Sequence, residues 1–290
     1  MRNRTFSGYL YSLVGILVFW YAFGSYCTNL LLDLLPAELQ SPDAFSFSRY
    51  AIIHSWFLFL GAGTLITARY MLYFPLSAFV TDADRIRWKR LAFTAIGWMA
   101  LMGLFSLITW LLLPSSRTVL PQRDYSRFLA FLPLACLAVI IQAGSEELFF
   151  RVFLGRFLTQ LLSGISGSKA LNMSITATAS GLLFLSAHLN NPEILTRPDA
   201  WAMYLYYFLF GFLLMYISLR EGGYEAAFGI HIGNNLFTSL ILNYEGSVMP
   251  TPALFVSRDV SPLMATVTLL AGFCIILLFR PPRAVAKKLL

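Results

Sequence analysis

Two adjacent carboxylates, two histidines and an asparagine occupy apolar stretches of this chain at spacings that could assemble a water-activating centre. The first stretch contains Ala-Gly-Ser-Glu146-Glu147-Leu-Phe-Phe-Arg151. Residues four apart share a helix face, and Glu preceding Arg is the favoured order, so Glu147 can neutralise Arg151. Glu146, turned about 100° away by the 3.6-residue period, is then a second carboxylate without a partner in its own helix. The second stretch carries Phe184-Leu-Ser-Ala-His188, which projects an aromatic ring and an imidazole from one side. The third reads Gly229-Ile-His231-Ile-Gly233-Asn234-Asn235, so that His231 and Asn235 present two polar groups to one cavity, while Gly229 and Gly233 permit a close helix approach. A carboxylate that takes a proton, an imidazole that holds water and donors for an oxyanion are the parts of a hydrolase.

Each feature alone has a plainer explanation. Adjacent acids followed by Arg are common on solvated helix faces, a histidine near a helix end often only hydrogen-bonds there, and a glycine-rich membrane helix is usually just an interface. The setting changes the weight. An ionised group at membrane depth costs at least about 2.5 kcal/mol, so each one inside a span is a functional candidate by default.

The elements that must position these groups are apolar runs of membrane length. A hydrocarbon core of about 30 Å needs roughly 20 residues per helix, and eight runs qualify, near 8–32, 51–78, 91–113, 128–158, 171–189, 200–219, 224–243 and 262–280. The expected fold is all-α, a polytopic membrane protein of about eight transmembrane helices around a central polar cavity. Residues 1–290 read as one integral-membrane domain, with motif-free helices over 1–125 and the motif-bearing core over 126–245. The first run follows Met-Arg-Asn-Arg but lacks a small-residue cleavage site, which makes it a retained helix.

Composition agrees. The 290 residues are 58% hydrophobic and 12% charged, with mean hydropathy +0.69, which excludes a water-soluble globule. The net charge of +7 is better explained by loops facing an anionic membrane surface than by nucleic acid, which is not an expected partner. With the N-terminus in the cytoplasm, about two-thirds of the Lys and Arg residues fall inside, so both termini are expected there. Arg280 to Lys288 then forms a basic anchor, and Arg69 snorkels toward the inner surface. His54 reads as an interfacial or packing residue. Cys27, Cys136 and Cys274 read as small buried hydrophobes, with no disulfide framework and no zinc-type pair. No Gly-x-Ser-x-Gly, His-Glu-x-x-His, Walker or dinucleotide-binding motif competes.

The order Glu146-Glu147-x-x-x-Arg151, Phe184-x-x-x-His188 and His231-x-x-x-Asn235 resembles the three motifs of the CPBP family, which comprises type II CAAX prenyl endopeptidases and bacteriocin-processing and self-immunity proteins. The resemblance implies a glutamic-type intramembrane endopeptidase acting near the C-terminus of a lipidated or membrane-embedded peptide or protein. In it, Glu146 and His188 would hold and activate water, His231 and Asn235 would stabilise the oxyanion, and Glu147 and Arg151 would form a supporting pair. No cofactor is implied, although Glu146 with His188 and His231 also makes a zinc triad, the main chemical rival. A cytoplasmic membrane of a prokaryote is the expected location, and oligomeric state is not legible.

Two readings from other classes compete: a non-catalytic membrane protein binding a peptide or conferring immunity, and a transporter using Glu146 and the histidines as a proton relay. No pair of interrupted inverted-repeat spans favours the transporter. Geometry presses on the enzyme reading too. At 1.5 Å per residue, His188 would lie roughly 26 Å from the inner start of its span and His231 roughly 10 Å from its own. Straight helices with these bounds do not converge, so the expectation is that the bounds err, with Pro133 marking the true start of the fourth span.

Overall fold

A computed structural model describes residues 5–40, 45–112, 119–121, 124–163, 167–195, 199–258 and 261–278. Helices dominate: α1 Phe6–Asp33, α2 Ala37–Gln40, α3 Phe47–Tyr70, α4 Leu76–Val80, α5 Trp88–Leu112, α6 Tyr125–Leu162, α7 Lys169–Ala187, α8 Pro192–Leu195, α9 Ala200–Glu221, α10 Glu225–Leu236 and α11 Pro262–Leu278. Six of them, α1, α3, α5, α6, α7 and α9, are long and apolar enough to cross a membrane. The last two of the eight expected spans are shorter: α10 runs into a π-helical turn, Phe237–Ile241, and α11 has 17 residues. The chain is an all-α, multi-pass integral membrane protein. Three-residue strands β1 Val119–Pro121, β2 Leu242–Tyr244 and β3 Phe255–Ser257, ordered β1-β3-β2, add a small sheet that the sequence reading lacked.

Local chemistry sets the helix starts. Four long helices begin where a Ser, Thr or Asp side chain accepts a first-turn N–H: Gly8 to Thr5, Arg49 to Ser46, Arg127 to Asp124 and Leu171 to Ser168. In α9 the stop is Gly222, whose φ of 65° is the left-handed turn that glycine adopts without a Cβ clash. Pro133, expected to begin the fourth span, instead lies inside α6, whose first residue is Tyr125. The loss of one N–H is tolerated there, and the run continues through a π-helical segment, Leu148–Phe153, to residue 162. The second run breaks at Tyr70 rather than near 78, before Pro75 and the short α4.

The exterior is apolar. Ile96, Leu104, Leu107 and Leu111 on α5 are all more than half exposed, as expected of a face that meets acyl chains. With lipid outside, hydrophobic burial does not drive the helices together, and close packing must do so. A Cβ at Gly229 or Gly233 would stand 2.3 Å from the Leu91 carbonyl or 2.5 Å from the Ala95 carbonyl, so these glycines seat α10 directly on α5. Likewise a Cβ at Gly181 would meet the Phe208 carbonyl at 2.8 Å, and one at Gly211 the Gly181 Cα at 2.9 Å, which locks α7 on α9.

At one end of the bundle, ion pairs fix the α9–α10 turn. Arg87 donates to Glu225 at 2.6 Å, Arg90 pairs with Glu221, and Arg156 reaches Asp82 at 3.0 Å and the carbonyls of Ala78 and Phe79. Burial opposes ionisation of Glu225, but the Arg87 hydrogen bonds and charge outweigh it and hold the carboxyl below its ordinary value. Arg69, at the end of α3, is exposed, and His54 is packed, with its Nδ1 2.7 Å from the Tyr50 carbonyl and its ring against Tyr50. The cysteines depart from expectation: Cys27 and Cys136 are half-buried and Cys274 is exposed, though all are free. Arg2, Arg4, Arg117, Arg123, Arg197 and the basic stretch Arg280 to Lys288 lie outside the described residues.

Candidate active site

A cavity of about 720 Å³ runs between the helices, and Glu146, His188, His231, Asn234 and Asn235 line it. Glu146 and Glu147 end the α-helical part of α6, and the π-helical segment that follows carries Arg151. Such wide turns re-aim side chains and recur at functional sites. Glu147 and Arg151 are both fully buried, with Nε 3.4 Å from Oε2. The Arg151 guanidinium also lies over the Phe184 ring, 4.2 Å from its centroid, a contact that offsets part of the cost of burying the cation.

The other Glu147 oxygen reaches across to α10, where His231 Nδ1 lies 2.7 Å from Oε1. With Nδ1–H donated to the carboxylate, the ring orientation of His231 is fixed, and Nε2 is turned toward Glu146 Oε2 at 3.8 Å. Phe184 and Phe210 wall the imidazole edge to face, at 5.8 and 5.2 Å. Glu146 is 5% exposed, its Oε2 has no hydrogen-bond partner among the described residues, and its carboxylate is on the cavity wall rather than against lipid.

His188 shares the cavity by a different route. It caps the C-terminus of α7, with Nδ1 2.7 Å from the Phe184 carbonyl, which leaves Nε2 as the free ring nitrogen. Phe184 contacts both imidazoles, His188 at 4.3 Å and His231 at 5.8 Å. Both imidazoles thus meet one ring although α7 and α10 start within two residues of the expected bounds, so the convergence does not come from shifted helix starts. The expected partnership is altered nonetheless. No hydrogen bond or ion pair joins His188 to Glu146 among the described residues, and the imidazole facing Glu146 is His231.

Asn235 and Asn234 complete the wall. Asn234 donates to the Asn235 carboxamide oxygen at 3.2 Å, and its own oxygen accepts from Trp98 at 3.3 Å and from the Tyr206 hydroxyl at 3.4 Å. Among the described residues no hydrogen bond uses the Asn235 amide NH2. Nothing in the local sequence marks Trp98 and Tyr206, which belong to distant helices. As well as Glu146 and Glu147, the acids Glu193, Glu221 and Glu225 are buried. Of these, Glu193 lines the cavity, where its Oε1 accepts hydrogen bonds from Tyr207 and from Asn191. No three His, Cys, Asp or Glu side chains are grouped to hold a metal ion among the described residues. His231 Nδ1 is already taken by Glu147 and His188 Nδ1 by a carbonyl, which leaves Nε2 on each as the ring nitrogen without a hydrogen bond among the described residues.

Comparison with known proteins converges on the same helices. Residues 128–237 match the family model described as type II CAAX prenyl endopeptidase Rce1-like, a span that contains all three motifs. The chain is 29% identical over 236 residues, 81% of its own length and 74% of the relative's, to the uncharacterized protein YyaK of Bacillus subtilis (strain 168). No solved structure matches. Residues 128–237 accordingly match an Rce1-like, type II CAAX prenyl endopeptidase domain, and the relative is consistent with the CPBP family.

Proposed function

We propose that this chain is a glutamate-dependent intramembrane endopeptidase that cuts near the C-terminus of a lipidated or membrane-embedded peptide or protein. The observation that carries the reading is the buried chain Arg151–Glu147–His231–Glu146 on the cavity wall. Glu146 takes a proton from water as the oxygen attacks the scissile carbonyl, then returns it to the departing amine. His231 acts as an imidazolium, donating Nδ1–H to Glu147 and Nε2–H to the oxyanion. With that proton, the charges of Glu146, Glu147, Arg151 and His231 sum to zero, an arrangement suited to a site of low dielectric. Asn235 supplies a second donor from its amide, and His188 Nε2 accepts from the attacking water. Donors fixed before the reaction are worth about 10²–10³ in rate each.

The apolar walls suit a substrate that arrives from the bilayer, since Phe57, Phe150, Phe184 and Phe210 all line the cavity. Both termini are assigned to the cytoplasm, because Arg85, Arg87, Arg90, Arg156 and Arg220 gather at the end of the bundle where α3 and α9 finish and α5 begins. The reaction is proposed to need no metal, since the free ring nitrogens of the two histidines are assigned to water and oxyanion. The test is cleavage of a prenylated fluorogenic peptide by purified protein in liposomes, with and without EDTA. Cleavage that survives the chelator and disappears in Glu146→Ala supports the reading. Loss in EDTA with rescue by zinc would replace it with a metalloprotease, and unchanged cleavage by Glu146→Ala would remove the catalytic role of that residue.

A further inference from the structure

The imidazole of His188 is held by less than its role demands. It lies past the last turn of α7, and its one ring hydrogen bond among the described residues is to the Phe184 carbonyl. A single bond leaves the ring free to swing about that contact unless packing stops it. Packing does: Tyr207 of α9 stacks on the imidazole, with centroids 4.4 Å apart and planes 24° apart, and Phe184 covers it at 4.3 Å.

Tyr207 is in turn fastened at its far end. Its hydroxyl donates a hydrogen bond to Glu193 Oε1. Asn191 Nδ2 bridges the same two groups, donating to the Tyr207 oxygen at 2.9 Å and to Glu193 Oε1 at 3.1 Å. Asn191 and Glu193 flank Pro192 in the turn that leaves His188, and the Asn191 N–H donates to the His188 carbonyl at 3.0 Å. The loop thus folds back to grip the tyrosine that stacks on its own histidine. Glu193 is 4% exposed; a buried carboxylate of this kind is costly without a dedicated donor set, and this one has two donors converging on a single oxygen.

We infer that Asn191, Glu193 and Tyr207 form a clamp that positions His188, with Tyr207 acting through the imidazole rather than on the substrate. The inference deepens the proposed hydrolysis, on which its kinetic consequence rests. Displacing a catalytic group by about 1 Å costs on the order of 10²-fold in rate. Tyr207→Phe keeps the stacked ring and removes the tether, and it is expected to lower kcat roughly 10-fold to 100-fold with KM within about twofold.

The experiment has a kinetic arm and a spectroscopic arm on the full-length protein in detergent. In the kinetic arm, kcat and KM for the prenylated fluorogenic peptide are measured for wild type, Tyr207→Phe, Glu193→Gln, His188→Ala and the His188→Ala/Tyr207→Phe double variant. The clamp requires the Tyr207 substitution to change nothing further once His188 is gone. An equal additional loss in that background, or a KM effect with kcat unchanged, overturns it. In the spectroscopic arm, nitrogen-15 NMR reads the tautomer of His188: a single Nδ1–H form in wild type that becomes a tautomer mixture in Tyr207→Phe supports the clamp, and an unchanged signal overturns it. Because the NMR arm needs no substrate, absence of cleavage by the wild type would count against the proposed function and leave the clamp to be decided by the tautomer.

Discussion

Replacing Arg151 by methionine removes the cation from a pair in which both partners are fully buried. Among the described residues the Glu147 carboxylate is then left with His231 Nδ1 as its one partner. Breaking a buried pair on one side costs about 3–5 kcal/mol, because the surviving charge has no solvent to turn to. The lost stacking on Phe184 adds about 0.5–2 kcal/mol. At roughly 2–4 °C per kcal/mol for a chain of this size, Arg151→Met should unfold on the order of 10 °C below wild type. Glu147→Gln should lose a similar amount by stranding the guanidinium, while its amide oxygen still accepts from His231. The double variant, with both charges gone, should be more stable than the sum of the single losses requires, and close to one of them. The assay is thermal unfolding in detergent, followed by circular dichroism for all four proteins. A shift under about 2 °C for Arg151→Met, or losses that simply add in the double variant, would refute the claim that the two charges depend on one another.

Other perturbations follow from the same geometry. Glu146→Gln should abolish cleavage, by at least the 10²–10⁴-fold typical of a general base, while unfolding no earlier than wild type, because it removes a buried oxygen that has no hydrogen-bond partner. Gly211→Val should destabilise by about 1–3 kcal/mol, since its Cβ would meet the backbone of α7 within 3 Å; thermal unfolding reads this directly. Stability should also fall in acid through Glu225. Its folded pKa is depressed, so its contribution is complete above the ordinary glutamate value of 4.5 and is lost as pH drops through the folded value. A Glu225→Gln variant should therefore be less stable than wild type at pH 7, and the gap between them should narrow below pH 4.5 in parallel unfolding measurements.

Much of the scaffold was legible because the bilayer imposes one rule on every span. Six apolar runs became helices of membrane length with ends within a few residues of those expected, apart from the second run, which Pro75 cuts short. Helix periodicity alone put Glu147 and Arg151 on one face, and Gly229 with Gly233 gave the seat of α10 on α5. Legibility ended where a contact joins residues far apart in sequence. Nothing local tells that Glu147 faces His231, 84 positions later, or that Asn234 collects Trp98 and Tyr206. Periodicity assumes 3.6 residues per turn, and the π-helical segment at Leu148–Phe153 breaks that assumption beside the site. The turn containing Glu193 was missed for a related reason: an acid in a short polar loop looks solvated until the fold covers it.

The most direct test of the central claim is a single turnover in water enriched in oxygen-18, with wild type and Glu146→Gln reconstituted in liposomes and the peptide products weighed by mass spectrometry. Hydrolysis by water activated at Glu146 places one labelled oxygen in the new C-terminal carboxylate of the wild-type product, and the variant gives no product on the same time scale. Labelled product from Glu146→Gln at a rate near that of the wild type would contradict it.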